Sequence, residues 1–248
     1  MQATLLIVFI FGLIIGSFLN VVILRHNTGH SLAGRSGCMS CGHELRWWEL
    51  FPLLSFGLLR GRCSNCGSKI SIQYPIVEFV TATLFVLVFT QSFDLLHLVL
   101  GLLISIILVI IATYDTKHTI IPNAYVYTFA LLSILFNAPE IGVSTIIAGV
   151  VLATPFALLW VVSKGKWIGL GDAKLMLGIG FMLGIFGGFF ALTIGSVLGA
   201  VIALTYVAIV GKKGAMHLEI PYGPFLIFGF FAVWLLHLDV VYLNLIMS

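Results

Sequence analysis

The stretch LVLGLLISIILVIIATY, at residues 98–114, contains no charged side chain, and Asp115 follows it directly. A helix needs about 20 mostly apolar residues to cross a bilayer. The whole chain has the same character, because 60% of its 248 residues are hydrophobic and only 8% are charged, whereas a soluble domain carries roughly a quarter charged residues. This composition favours an integral membrane protein and excludes an ordinary soluble enzyme. It also excludes a disordered chain, which would be highly charged, and a nucleic-acid-binding protein, since the net charge is only +3.

Apolar runs of this kind recur along the chain, separated by short polar segments. We expect an all-α integral membrane protein with about eight transmembrane helices. The weakest boundary lies near Gly187 and Gly188, where only a turn of small residues would separate two spans. The runs are 3–24, 76–90, 98–114, 124–136, 143–162, 173–186, 189–210 and 222–238.

The basic residues are sorted by loop. All 12 Lys and Arg fall in the loops after the first, third, fifth and seventh spans or at the edges of these loops, and the other loops have none. Because Lys and Arg accumulate in short cytosolic loops, we expect these loops in the cytosol and both termini on the extracytoplasmic side. The residues are Arg25, Arg35, Arg46, Arg60, Arg62, Lys69, Lys117, Lys164, Lys166, Lys174, Lys212 and Lys213.

The segment 26–73 differs in composition from the rest of the chain, with polar residues, glycines and all four cysteines. The sequence therefore predicts three parts: a first transmembrane helix at 1–25, a small cytosolic module at 26–73, and a core of seven membrane helices at 74–248. Such a module is too small to bury much of an apolar core, so a structural metal would stabilise it.

The four cysteines form two C-x-x-C-G turns. Each short turn offers two sulfurs to one ion, as in tetrahedral zinc sites, and the glycine permits the tight backbone. Two disulfides are the alternative, but they need an oxidising compartment, whereas the basic residues indicate the cytosol. We therefore favour zinc and regard His43 as a bystander. The expected ligands are Cys38, Cys41, Cys63 and Cys66.

Three acidic residues fall on expected membrane helices near the cytosolic face: Glu78, Asp115 and Asp172. Ionisable groups at membrane depth are costly and are therefore functional candidates. Each also has a plain structural explanation. Asp172 could be a helix N-cap, and Asp115 could be a loop residue beside Lys117. Glu78 could form an ion pair with an arginine of the module.

Asp115 and Asp172 share one face of the membrane at similar depth. Gly169 and Gly171, just before Asp172, allow close backbone approach and would form an active-site loop. Two adjacent carboxylates that share one proton can activate a water molecule, which makes the two aspartates the candidate catalytic residues. Lys174 follows two residues later and is expected to point away from this site toward lipid headgroups.

Six segments, in order along nearly the whole chain, resemble the type IV prepilin peptidases, which are intramembrane aspartic proteases of the G-x-G-D kind. Tyr222 is a departure, since phenylalanine is commoner at this position. The segments are 16–25 (GSFLNVVILR), the paired C-x-x-C turns, 74–78 (YPIVE), 115–123 (DTKHTIIPN), 169–175 (GLGDAKL) and 221–226 (PYGPFL).

The resemblance implies an aspartic endopeptidase of the cytoplasmic (inner) membrane. It would remove the leader peptide of type IV prepilins or pseudopilins at the cytosolic boundary, with Asp115 and Asp172 as catalytic residues. It also implies N-methylation of the new amino terminus from S-adenosyl-L-methionine. Glu78 and Asn20, near the cytosolic ends of the first two spans, are the candidates for this second activity, whereas Gly16 is better explained by close helix packing. The implied partners are pilin precursors and the lipid bilayer, without nucleic acid.

A membrane transporter or channel with a zinc-stabilised cytosolic module and proton-relay carboxylates is the alternative. Transporters tend to hold such groups at the midplane within internal repeats, whereas both aspartates fall near one face here. The segment 221–224, with two prolines, cannot form a regular helix interior. We expect it to bend the chain at the start of the last span, beside the site.

Overall fold

The computed structural model of the protein describes residues 2–29, 31, 34–91, 94–138, 142–211 and 220–238. Within these residues all regular secondary structure is helical, apart from two isolated β-bridges, Gly37 to Glu44 and Arg62 to Lys69. Each bridge flanks one of the C-x-x-C turns. The all-α class predicted from the apolar runs is confirmed.

The helices begin and end close to the predicted apolar runs. Within the described residues five helices are long and apolar enough to cross a bilayer, namely α1, α3, α4, α6 and α7, and α5 and α8 are shorter apolar helices. The count of about eight spans stays a prediction, and Lys212 and Lys213, on which the predicted topology partly depends, lie outside the described residues. In chain order the elements are α1 (Gln2–Arg25), a short 3-10 helix (Trp47–Leu50), α2 (Leu54–Leu58), α3 (Gln73–Thr90), α4 (Leu95–His118), α5 (Asn123–Phe136), α6 (Val143–Ser163), α7 (Leu170–Val210) and α8 (Gly223–Leu236).

Helix α7 runs for 41 residues but is interrupted at Gly184, where φ is 70° and ψ is −173°. Glycine adopts this conformation without the penalty of a side chain. The interruption precedes the boundary predicted near 187–188. Before it, the side-chain amide of Asn137 donates hydrogen bonds to the carbonyls of Phe181 and Met182, at 2.9 and 3.2 Å. Asn137 thus provides partners for backbone carbonyls next to the break.

The chain forms two compact units, Met1–Leu98 and Val99–Ser248. In the first unit α1 packs against α3 with their backbones in contact. A Cβ atom at Gly16 would lie only 2.7 Å from Cα of Glu78, and Gly12 makes a similar approach one turn earlier. Such small-residue contacts are typical of packed membrane helices, as expected for Gly16. The division of the chain predicted at 25 and 73 stays a prediction.

In the second unit α7 is the central helix and packs against α5, α6 and α8. Its glycines allow these neighbours to come close. A Cβ atom at Gly180 would lie 2.5 Å from Cα of Gly149 in α6, and one at Gly195 would lie 2.6 Å from the carbonyl oxygen of Phe225 in α8. Close packing on several sides holds α7, which carries Asp172 in its first turn.

Candidate active site and metal centre

Asp115 lies near the end of α4 and is only 4% exposed, so the explanation as a loop residue beside Lys117 is wrong. Its Oδ2 accepts a 3.0 Å hydrogen bond from the backbone N–H of Gly223, the first residue of α8. A Cβ atom on residue 223 would lie 2.6 Å from this oxygen. Only glycine therefore lets the start of α8 approach the carboxylate so closely.

Asp172 lies in the first turn of α7 and is buried, with 8% of its surface exposed. The N-cap of this helix is Gly169, and its end has no side-chain cap hydrogen bond, so the explanation of Asp172 as an N-cap is wrong. A Cβ atom on Gly169 would lie 3.4 Å from Oδ2 of Asp172. The free N–H groups at a helix start favour a nearby anion, and this turn therefore suits a carboxylate.

Ile121, which precedes α5, lies close to two glycines, one beside each aspartate. Its Cβ would lie 2.8 Å from a Cβ atom placed on Gly171, and its Cδ1 would lie 3.3 Å from one placed on Gly223. Gly171 precedes Asp172, and Gly223 binds Asp115. The structure thus places Gly171 of the predicted loop, which precedes Asp172, and Gly223, which binds Asp115, against one side chain.

The segment that leads into α8 lies beside the site, as its two prolines predict. The hydroxyl of Tyr222 forms a 2.6 Å hydrogen bond with Oγ of Ser196, and its ring stacks on Phe156 with the ring centres 6.2 Å apart. The next residue, Gly223, donates its N–H to Asp115. The hydroxyl gives this segment an anchor that phenylalanine would lack.

Sequence reasoning did not single out Gly223, Ile121 or Ser196 as parts of this site. The signal for Gly223 was its position between two prolines, which marks a backbone of special shape. Ile121 and Ser196 carry no comparable signal, because an isoleucine or a serine in an apolar segment is ordinary. Their roles follow from the packing of helices that are far apart in the sequence.

Lys174 has partners in α5, and its expected position near lipid headgroups stays a prediction. Its Nζ donates a 2.6 Å hydrogen bond to Oδ1 of Asn123 and lies 5.2 Å from the ring centre of Tyr127. A cation over an aromatic ring is attracted to its face. Both partners belong to α5, and Lys174 therefore ties the start of α7 to that helix.

The four cysteines of the segment 26–73 form one cluster. Their Sγ atoms all lie within 4.8 Å of one another, with Cys38 and Cys66 3.8 Å apart. All four are free, which disagrees with the two-disulfide alternative, and His43 is not part of the cluster. Tetrahedral zinc with bonds of about 2.3 Å separates its sulfur ligands by about 3.8 Å. The cluster therefore fits a zinc ion.

The two C-x-x-C turns have the same local structure. The N–H of Gly42 donates to the carbonyl of Cys38 at 2.9 Å, and that of Gly67 donates to the carbonyl of Cys63 at 3.0 Å. Both glycines have a φ of 71°, in the left-handed region that favours glycine. The repeated C-x-x-C-G pattern thus predicted a repeated turn.

Ser68 supports the cluster, although sequence reasoning did not single it out. Its hydroxyl lies 3.5 Å from Sγ of Cys38 and 3.2 Å from Sγ of Cys66. Hydrogen bonds with this hydroxyl and with backbone groups of the turn lower the pKa of Cys38 to about 5, and hydrogen bonds with the hydroxyl and backbone of Ser68 lower the pKa of Cys66. A lowered pKa favours the thiolate, which is the form that binds a metal.

Glu78 and Asn20 lie where α1 and α3 meet. Glu78 is buried, and its Oε2 accepts a 2.9 Å hydrogen bond from the backbone N–H of Leu53 rather than pairing with an arginine of the module. Asn20 is 1% exposed and donates to the carbonyls of Gly16 and Tyr74, at 3.3 and 3.2 Å. Its Oδ1 finds no hydrogen-bond partner within the described residues. A buried carboxylate and an unpaired buried acceptor are groups that attract a cationic ligand.

Two family profiles match the chain. The profile of the bacterial peptidase A24 N-terminal domain matches residues 10–92, which include the cysteine cluster, Asn20 and Glu78. The profile of the type IV leader peptidase family matches residues 102–204, which include Asp115 and Asp172.

Curated relatives match most of the chain. A prepilin leader peptidase/N-methyltransferase of Bacillus subtilis (strain 168) is 36% identical over 80% of this chain and 83% of its own length. Proteins of the same name from Legionella pneumophila and Pseudomonas putida are 30% and 29% identical, over 89% and 90% of this chain and 87% and 88% of their own lengths. The chain belongs to the type IV leader peptidase family. These matches do not support a transporter or channel, and no solved structure matches the chain significantly.

Proposed function

We propose that this protein is a membrane-embedded aspartic endopeptidase that removes the leader peptide of type IV prepilins or pseudopilins. The observation that carries the proposal is the burial of both Asp115 and Asp172, beside residues that contact the same isoleucine, Ile121. Carboxylates are rarely buried in a membrane helix without a function. Their location within a family of leader peptidases supports a role in hydrolysis.

In the proposed reaction the two carboxylates hold one proton between them and act as a unit. The ionised member accepts a proton from water while the water oxygen bonds to the scissile carbonyl carbon. The protonated member gives its proton to the carbonyl oxygen, and a tetrahedral intermediate forms. The carbon–nitrogen bond then breaks as the nitrogen takes up a proton from the pair and one hydroxyl of the intermediate returns a proton to it, which releases the leader as a carboxylic acid and a new amine. Throughout, the N–H of Gly223 keeps Asp115 oriented.

The cut falls at the cytosolic face of the cytoplasmic (inner) membrane in this proposal, and both termini lie outside the cytosol. The distribution of the 12 Lys and Arg residues supports this orientation, since basic loops are kept in the cytosol. A pilin precursor has a short basic leader ahead of a long apolar helix. Such a precursor would present its cleavage site at the membrane boundary.

The second proposed activity is methylation of the amine that cleavage creates. S-adenosyl-L-methionine, when bound, supplies the methyl group. We propose that Glu78 and Asn20 hold cationic groups at the contact of α1 and α3, because one is a buried carboxylate and the other has an unpaired buried oxygen. Close packing at Gly16 keeps the two helices together.

The cysteine cluster would hold a structural zinc ion through Cys38, Cys41, Cys63 and Cys66. The spacing of their sulfur atoms supports this assignment. The ion would stabilise a cytosolic module at 26–73, between a first transmembrane helix at 1–25 and a seven-helix peptidase core at 74–248. The zinc takes no part in the cleavage steps.

The proposal can be tested with the full chain reconstituted in liposomes together with a prepilin-like precursor, with and without S-adenosylmethionine. Wild type should cleave without the methyl donor and should methylate only when the donor is present. Asp172→Ala should cleave nothing, and Glu78→Ala should cleave but not methylate. Cleavage that persists in Asp172→Ala would contradict the peptidase mechanism.

A further inference from the structure

Glu49 is a buried carboxylate in the segment that carries the cysteine turns. It lies in the short helix Trp47–Leu50 and is 6% exposed. Burial of a carboxylate is unfavourable unless donors surround it. Glu49 has such donors, and hydrogen bonding with the Ser64 hydroxyl and the Arg46 N–H lowers its pKa.

The partners of Glu49 come from both cysteine turns. The hydroxyl of Ser64, which directly follows Cys63, donates a short hydrogen bond to Oε1. On the other oxygen, Oε2 accepts a 2.7 Å hydrogen bond from the N–H of Arg46 and lies 3.4 Å from Nε2 of His43. His43 is the residue after Gly42 in the first turn. One carboxylate therefore accepts a hydrogen bond from the second C-x-x-C turn and contacts the first turn through the ring nitrogen of His43, without a hydrogen bond there.

The two turns are distant in sequence, and the backbone hydrogen bonds of each turn are local to it. A tetrahedral ion needs two sulfurs from each turn at a fixed spacing. Groups that orient metal ligands from outside the coordination sphere are often as important as the ligands, and their loss typically weakens metal binding about 10- to 100-fold. Glu49 is the buried group that spans the two turns.

We propose that Glu49 is a positioning residue of the four-cysteine site, which holds the two turns at the spacing that a tetrahedral metal requires. This inference rests on the proposed zinc site. Glu44 provides a matched control, since it is also a glutamate of this segment but pairs with Arg35 at the surface, where their side chains are 64% and 77% exposed. It makes no link between the turns.

The test uses the purified full-length protein and measures Zn²⁺ affinity by competition with a chromophoric chelator. Glu49→Gln should bind Zn²⁺ about 10- to 100-fold more weakly than wild type, and Glu44→Gln should match wild type. At saturating Co²⁺, Glu49→Gln should recover the absorption bands of a tetrahedral tetrathiolate site, because all four ligands remain. Failure to recover them would mean that the segment is misfolded, and would contradict a positioning role.

A double-mutant cycle tests the bridge itself. Ser64→Ala should also weaken Zn²⁺ binding, and the double variant Glu49→Ala/Ser64→Ala should bind Zn²⁺ no more weakly than Glu49→Ala, since both changes remove the hydrogen bond between Ser64 and Glu49. Additive losses of Zn²⁺ affinity in the double variant, or wild-type affinity in Glu49→Gln, would overturn the positioning role of Glu49. Neither result would bear on the metal site itself. Wild-type protein that binds no Zn²⁺ would overturn the metal site and this inference together, while leaving the peptidase proposal untouched.

Discussion

The backbone N–H of Gly223 donates a hydrogen bond to Oδ2 of Asp115 across a separation of 108 residues. It joins the first residue of α8 to the end of α4, and glycine is the residue that lets the backbone approach so closely. One carboxylate of the candidate pair is thereby oriented by a main-chain N–H group. Rotation of a side chain does not move such a donor.

Gly223→Ala should strongly reduce cleavage. The added Cβ would lie 2.6 Å from Oδ2 of Asp115 and must displace the carboxylate or the start of α8. Displacement of a catalytic group by an ångström can cost about 100-fold in rate. The measurement is the initial rate of leader removal by reconstituted protein. Gly57→Ala is the control, since a Cβ atom there meets nothing within 4 Å; equal rates in the two variants would contradict the prediction.

Tyr222→Phe should weaken the attachment of α8 to α7. The substitution keeps the ring that stacks on Phe156 but removes the hydroxyl that bonds Ser196. Hydrogen bonds between membrane helices contribute about 0.6 kcal/mol on average, and a loss of this size is expected in unfolding measured in mixed micelles. Ser196→Ala should have a similar effect, and the two should not add. Strictly additive losses would mean that the hydroxyls act independently.

Purified protein should contain one zinc ion per chain, measured by elemental mass spectrometry. Cys63→Ser should lose the metal, because it removes the buried member of the cluster. Ser40→Ala, an exposed change within the first turn, should keep it. Metal-free protein in which all four cysteines resist thiol reagents until reduced would instead support two disulfides.

Gly16→Ala should reduce methyl transfer. The new Cβ would lie 2.7 Å from Cα of Glu78 and would push apart the helices that carry Glu78 and Asn20. Overpacking of this kind typically costs about 1–3 kcal/mol. The readout is transfer of a labelled methyl group to a mature pilin peptide supplied without its leader, which separates this step from cleavage. Wild-type transfer in Gly16→Ala would argue against a site at this helix contact.

Much of the architecture could be predicted, because long apolar runs and repeated C-x-x-C-G turns depend on local chemistry. The helices α1, α5 and α6 begin and end within about one residue of the predicted runs, and both cysteine turns have the expected form. The position of the break in α7 was harder to predict from the sequence. Several neighbouring glycines can each adopt a positive φ, and the partner that supports the break near Gly184, Asn137, comes from another helix.

The candidate site could also be predicted only where its features depend on local sequence. Asp115 and Asp172 stand out because charges are rare in this chain, and a rare charge at membrane depth is informative. Their partners depend on which helices pack together, and periodicity carries no such information. For that reason the hydrogen bond between Lys174 and Asn123 of α5 could not be predicted. Glu49 was passed over for a similar reason, since its contacts with Ser64 and His43 depend on packing and not on its neighbours in sequence.

The central claim is that Asp115 and Asp172 cleave the precursor as one unit. Its most direct test is single-turnover leader removal by wild type, Asp115→Asn, Asp172→Asn and the double variant, all in the same liposomes. Residues that act as a unit are strongly non-additive, so each single variant should lose cleavage by about 1,000-fold or more and the double variant should be no slower than the singles. Cleavage near the wild-type rate in either single variant would contradict the account.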